Sequence, residues 1–320
     1  MSVLVIAEHR EGELREITLE ALGAAARLNA GPVKALLPGS KTESLARELG
    51  RFCSEVIELD HARLDPPLGE PWLKAVLEFC ALEEFDVVLL GATSWGMELA
   101  PALAESLNAP FAPDVTSLEY EGGSLKGSRM VFSGKLESKW QCKKAPTCVA
   151  TVRPGAFDLP LPGDEAKIRK QTPDLADDLA VKFLGYLKQA AGDVDITAAK
   201  ILVSVGRGIG GADNIALAQD LADALGGVVS CSRPVADKKW LDKSRQVGTS
   251  GQTVKPDIYL ALGISGAFQH LAGMQGAKTI IAVNKDSKAP IFGVAHYGIV
   301  GDALELLPLI TDKLKALCTA

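Results

Sequence analysis

The chain has 320 residues, 47% of them hydrophobic and 23% charged, with a net charge of −6 at pH 7. At about 150 residues per domain, that length predicts two domains, and the acidic balance offers no footprint for nucleic acid. No stretch approaches the roughly 20 apolar residues of a membrane span, and the opening MSVLVIAEHR turns charged too soon for a signal peptide, so a cytoplasmic protein is expected.

Along the first half, short apolar runs alternate with amphipathic ones: SVLVIAE, GELREITLEALGAAARLN, PVKALLPG, ESLARELG, EVIEL, PWLKAVLEFCALEEF, DVVLLGAT and WGMELAPALAESLN. Alternation of this kind predicts a parallel sheet covered by helices on both faces. From Asp114 to Val152 polar and apolar residues alternate around Gly122-Gly123, which predicts antiparallel strands joined by a hairpin. Residues 153–198 are rich in proline and acid and read as a connector ending in an amphipathic segment, VKFLGYLKQ, from Val181. A second α/β series follows: KILVSVG, a glycine-rich turn, ADNIALAQDLADALGG, GVVSCS, a polar loop to Thr253, DIYLALG, ISGAFQHLAGM, TIIAVN and a last helix from about Asp302. The expected organisation is two doubly wound α/β domains, 1–195 with the antiparallel extension and connector, and 196–320. Cys53, Cys80, Cys142, Cys148, Cys231 and Cys318 form no C-x-x-C pair, so they read as reduced structural thiols and no metal site is expected.

The chemistry-bearing residues gather at strand ends in the second series. VGRGIGG sets Gly206, Gly208 and Gly211 in a G-x-G-x-x-G turn between a strand and a helix, the kind of turn that meets a phosphate. An ordinary dinucleotide site would also end its second strand in a ribose-binding acid; GVVSCSRP has none, which counts against an NAD-dependent dehydrogenase. Arg207 stands at the end of the first strand of this series, and Ser232 and Arg233 at the end of the second, so both cations point to one crevice. Gly248, Thr249, Ser250 and Gly251 form a polar loop suited to a flat polar ligand. Ser265, Gly266 and Ala267 follow the third strand and precede Phe268, Gln269 and His270 on a short helical stretch. Asn284 ends the fourth strand, and Asp302, beside Ala303, has the bland alternative of capping the last helix.

Taken in order, SVGRGIGG, CSRPVAD, SRQVGTSG, LGISGAFQHLAGMQGAKTIIAVNKDSKAPIF and YGIVGD resemble the FAD-binding domain of the electron transfer flavoprotein α-subunit (FixB) family over nearly all of residues 200–320. The resemblance implies a Rossmann-like C-terminal domain and a heterodimer with a β subunit that carries AMP, or a second FAD in electron-bifurcating members that use NADH. It implies an electron carrier and not an enzyme with its own substrate. Electrons would come from flavoprotein dehydrogenases, such as those of acyl-CoA in fatty acid β-oxidation, and pass to a membrane quinone oxidoreductase through an anionic semiquinone. FAD contacts would come from Arg207, Ser232, Arg233, Val247 to Ser250, Ser265 to His270, Asn284, Asp302 and Ala303. Among these Arg233, Ser250 and His270 would tune the flavin. In this sequence VGTSG replaces the commoner VGQTG, keeping a hydroxyl at Ser250, and His296 stands where many members carry an acid. RMVFSGKLESK lacks the Gly-Gly-Asn run associated with bifurcating members. A unit charge at about 4 Å in an effective dielectric of about 20 is worth about 4 kcal/mol, on the order of 170 mV for one electron, so Arg233 is expected to weigh heavily on the flavin.

Overall fold

A computed structural model describes residues 2–132, 134, 136–142, 145–175, 181–185 and 194–318, without the side chain of residue 318. The chain divides into two compact units, Met1–Gly185 and Tyr186–Ala320. Among the described residues of the first, strands β1 (Val3–Ile6), β4 (Val33–Gly39), β5 (Glu55–Asp60) and β6 (Val87–Gly91) alternate with helices α1 (Glu16–Arg27), α2 (Glu43–Leu49), α3 (Gly69–Cys80) and α4 (Ser94–Ser106). A small hairpin of β2 (His9–Arg10) and β3 (Glu13–Leu14) follows β1. After α4 come β7 (Phe111–Glu121), β8 (Ser124–Val131), β9 (Leu136–Gln141), β10 (Cys148–Val152) and β11 (Lys167–Gln171). They complete a nine-stranded sheet in the order β11-β5-β4-β1-β6-β10-β7-β8-β9. Every residue of β1, β6 and β10 is buried, because helices cover both faces and leave no solvated side to alternate against.

Two expectations need correction here. The antiparallel arm stops at β9: β8 pairs antiparallel with β7 and β9, whereas β10 runs parallel to both β6 and β7. CVATV is buried at every position and apolar except for Thr151, as a doubly covered parallel strand is, and its neighbours' alternation does not extend into it. The connector is also not purely a linker. Its residues Lys167–Gln171 form β11, parallel to β5 at the edge of the sheet, held by charge: Arg169 bonds to Glu83 and meets Glu55 at 3.4 Å, and Lys170 meets Glu58 at 3.2 Å and Asp60 at 2.8 Å. Residues 181–185 of the expected amphipathic segment are not helical, and 186–189 lie outside the described residues.

In the second unit β12 (Ile201–Val205), β13 (Val228–Ser232), β14 (Gln246–Val247), β15 (Ile258–Leu262), β16 (Thr279–Asn284) and β17 (Tyr297–Val300) make an all-parallel sheet in the order β14-β13-β12-β15-β16-β17. Helix α5 (Ile215–Leu225) connects β12 to β13, the short α6 (Arg233–Asp237) follows β13, α7 (Phe268–Leu271) follows β15, and α8 (Ala303–Cys318) closes the unit. Numbered from β12, the order reads 3-2-1-4-5-6. Chain direction across the sheet therefore reverses between β12 and β15, the place where such sheets bind ligands at their carboxyl ends.

Candidate functional site: a pocket at the reversal of the second sheet

A pocket of about 430 Å³ opens at the carboxyl ends of β12, β13, β14 and β15, entirely within the second unit. Of the residues proposed from sequence, Arg207, Ser232, Arg233, Val247, Gly248, Thr249, Ser250, Ser265, Gly266, Ala267, Gln269 and His270 line it. Phe268, Asn284, Asp302 and Ala303 are not among its lining residues. Asn284 instead donates from Nδ2 to the Ile264 carbonyl at 2.9 Å, so it steadies a loop that does line the pocket. Asp302 caps α8 by accepting from the Leu304 amide at 2.9 Å, and its other oxygen lies 2.7 Å from Lys285 Nζ. That lysine, followed by the amide bond, holds the Asp302 carboxyl below its ordinary range. Ala303 is the buried first residue of the helix.

The glycine turn after β12 has a different use from the one its spacing suggests. Amides of Gly208, Ile209, Gly210 and Gly211 all donate to carbonyls of the protein, Gly208 to Gly263 at 3.0 Å and the others within the turn. A Cβ on Gly206 would come within 2.2 Å of the Gly263 carbonyl oxygen, and one on Gly208 within 2.7 Å of Gly263 Cα. The glycines let the loops after β12 and β15 touch backbone to backbone, which closes the floor of the crevice. Gly266 has φ +84, and a Cβ there would lie 2.3 Å from the Ile291 amide nitrogen, so only glycine fits that bend.

Five lining residues, Pro234, Asp237, Gln246, Gly263 and Ile264, were not among the site residues proposed from sequence. Gln246 is buried and donates from Nε2 to Ser250 Oγ at 2.9 Å, which fixes the hydroxyl of the polar loop. Asp237 stands one helical turn after Arg233, its carboxylate 3.4 Å from the guanidinium, and the Arg233 side chain is 68% exposed. Spacing i, i+4 on RPVAD is the signal for that pair. It changes the expected weight of Arg233: a cation so exposed and so paired acts through nearly bulk-water screening, about 1 kcal/mol at 4 Å, or roughly 40 mV for one electron.

His270 is 6% exposed, and both ring nitrogens are engaged by the protein: Nδ1 lies 3.1 Å from the Val247 carbonyl and Nε2 2.9 Å from the Tyr259 hydroxyl. Burial pushes its pKa down to about 4, partly opposed by the Val247 carbonyl, so the ring is neutral at pH 7. Tyr259, from the middle of β15, is fully buried, and burial pushes its phenol above the ordinary range against the pull of the Ser204 and Ser230 hydroxyls. The ring therefore meets the pocket as a fixed, uncharged wall.

These residues suit a flat, polar, electron-accepting ring. Two guanidiniums and four hydroxyl residues, Ser232, Thr249, Ser250 and Ser265, surround the space, Gly248 and Gly266 bring backbone to its edge, and the sole lining carboxylate among the described residues, Asp237, is paired with Arg233. Comparison with known proteins agrees. Residues 3–177 match the family model described as "Electron transfer flavoprotein domain", and residues 195–275, which contain the whole pocket, match "Electron transfer flavoprotein FAD-binding domain". The chain is 39% identical to "Protein FixB" of Clostridium saccharobutylicum, across 99% of this chain and 97% of that protein. It is 38% identical to "Electron transfer flavoprotein subunit alpha" of Thermoanaerobacterium thermosaccharolyticum, across 98% of each. It is 36% identical to "Acryloyl-CoA reductase electron transfer subunit beta" of Anaerotignum propionicum, across 98% of this chain and 95% of that one. The chain belongs to the electron transfer flavoprotein α-subunit family, and every residue that lines the pocket lies within the stretch that matches the FAD-binding domain.

Proposed function

We propose that this chain pairs with an electron transfer flavoprotein β subunit and that the pocket holds the FAD through which the heterodimer relays single electrons. Donors are flavoprotein dehydrogenases, acyl-CoA dehydrogenases among them, and the acceptor is a membrane quinone oxidoreductase or its equivalent. The observation that carries this reading is the convergence of Arg207, Arg233, Ser250 and His270 on one pocket at the sheet's reversal. The name of the Anaerotignum relative, which couples electron transfer to an acryloyl-CoA reductase, supports an acyl-CoA partner. Bound FAD supplies the electron-accepting ring. The chain's own residues supply positive potential from Arg207 and Arg233, a hydroxyl held by Gln246, and an imidazole that is neutral while the pocket carries no added negative charge. Asp237 is paired with Arg233, and both ring nitrogens of His270 are bonded within the protein in this state. That fits a carrier with no substrate of its own. No helix among the described residues is long and apolar enough to cross a membrane, and we place the heterodimer in the cytoplasm.

Co-expression with a β subunit should yield a yellow heterodimer holding one FAD in this pocket and not reduced by NADH alone. A colourless complex overturns the proposal. Two flavins reducible by NADH would mark the electron-bifurcating type instead. Within the carrier reading, Arg233→Ala should lower the first reduction potential by roughly 40 mV, measured by dye-coupled titration. An unchanged potential removes Arg233 from the tuning groups.

A further inference from the structure

Beneath the pocket floor lies a buried polar chain: Ser204 on β12, Tyr259 on β15 and His270 on α7. Ser204 and Tyr259 are fully buried, and Tyr259 Oη stands 2.7 Å from Ser204 Oγ and 2.9 Å from His270 Nε2. Ser230, in register with Ser204 on the neighbouring strand, adds another buried hydroxyl. In the core of a parallel sheet such a cluster costs stability unless every member is bonded.

The hydrogen inventory of this chain allows two arrangements. The Val247 carbonyl can only accept, so Nδ1 carries a hydrogen in both. Tyr259 has one hydroxyl hydrogen, and Ser204 Oγ and His270 Nε2 are the two acceptors within 3 Å that compete for it, with the Ser230 hydroxyl also beside the phenol. Given to His270 Nε2, it leaves the ring neutral. Given to Ser204, it turns the phenol oxygen's lone pairs toward Nε2, which must then bear its own hydrogen, and the ring is a cation.

Resting on the FAD reading above, we propose that Tyr259 is a positioning residue for His270: its hydroxyl turns from the ring to Ser204 when the ring takes up a proton, so the buried imidazole stays fully bonded with one hydrogen or with two. Negative charge arriving in the pocket favours the cation, and the ring takes its second proton from solvent while Tyr259 keeps its own. The groups facing this exchange are Tyr259 and Cys231 in the core and Arg207, Arg233 and Asp237 around the pocket. Arg245, buried beside β13, donates to the Val229 carbonyl at 2.8 Å. With phenylalanine at 259, Nε2 has no partner in either state. A stranded charged donor loses more than a stranded neutral acceptor, so the neutral ring is the one that persists.

The test follows the imidazole nitrogens of His270 by ¹⁵N NMR in the holo heterodimer, oxidised and after one-electron reduction. The native protein should show a single Nδ1–H tautomer when oxidised and two protonated nitrogens when reduced. Its first potential should fall by about 59 mV per pH unit, a tenfold change in proton concentration for one electron, within the range from about pH 6 to about pH 8. Tyr259→Phe should keep its flavin, leave His270 singly protonated in both redox states and flatten that slope. Ser204→Ala removes the alternative acceptor for the phenol hydrogen and should do the same more weakly; it serves if the phenylalanine variant does not fold. A native ring that stays singly protonated on reduction overturns the proposal, as does a Tyr259→Phe protein whose nitrogens and slope match the native ones. Loss of the FAD reading looks different: the native complex would carry no flavin at all.

Discussion

At the reversal of the first sheet, between β1 and β6, the chain fills the crevice with its own side chains. His9 bonds to the Pro38 carbonyl at 2.8 Å and packs against Trp72, whose ring meets Trp95 edge-on with centroids 4.6 Å apart. Thr93, after β6, donates to Glu8, after β1, at 2.7 Å across the gap. At the reversal of the second sheet, between β12 and β15, glycines 206, 208 and 263 close only the floor, and a pocket lined by cations and hydroxyls stays open above it. Both units use the same doubly wound logic and both place a buried histidine near the reversal. One spends that position on packing and the other keeps it for a ligand, so topology alone does not mark a binding site; what fills the crevice does.

The largest effect expected from this contrast comes from the filled side. Trp72 is fully buried, and its indole donates to the Leu64 carbonyl at 2.9 Å. Trp72→Ala should cost about 3–5 kcal/mol in denaturant unfolding followed by circular dichroism, while the flavin content of the folded heterodimer stays unchanged. Loss of FAD from protein that remains folded would mean that the first crevice shapes the second and that the contrast is wrong.

Acid should probe the His270 side of the contrast next. His270 has a pKa of about 4 in the folded chain and about 6.5 when unfolded, so between those values the unfolded chain binds more protons. Stability is therefore full above about pH 6.5 and falls as pH drops toward about 4, by as much as about 3 kcal/mol. His270→Gln should flatten this slope, measured by urea unfolding at several pH values in the apo protein. An equally steep slope in the variant would place the acid sensitivity elsewhere.

Sequence carries unequal amounts of this contrast. Parallel strands were legible where a mainly apolar run stood between helical stretches, as in VLVI and ILVSV, and β10 was missed because it follows directly on the antiparallel arm. β11 was not, because KIRKQ lies at a sheet edge and is held by ion pairs with β5, which read locally as a charged linker. β17, exposed along its whole length, shows no core-facing alternation either. For the site, residues displayed at successive strand ends were legible because chain direction fixes where they point. Gln246 and Tyr259 were not: each acts through another residue, Ser250 or His270, and such pairing depends on tertiary distance. The glycine spacing was visible but its purpose was not, since the atoms nearest to a Cβ on Gly206 or Gly208 lie more than fifty residues away at Gly263.

The smallest predicted effect tests the sign of the contrast. Glu8 is raised above the ordinary carboxyl range by burial, against the Thr93 hydroxyl bond and the charge of Arg15. A raised carboxyl contributes stability below its unfolded pKa and loses that contribution as pH climbs through its folded value, the reverse of His270. Glu8→Gln keeps an oxygen to accept from Thr93 and removes the buried charge. It should therefore be neutral or stabilising by up to about 1 kcal/mol at pH 7, with little change near pH 4, in the same urea series. A loss of stability at pH 7 would show that the Glu8 charge is wanted, and the first crevice would then have to be reconsidered as a site in its own right.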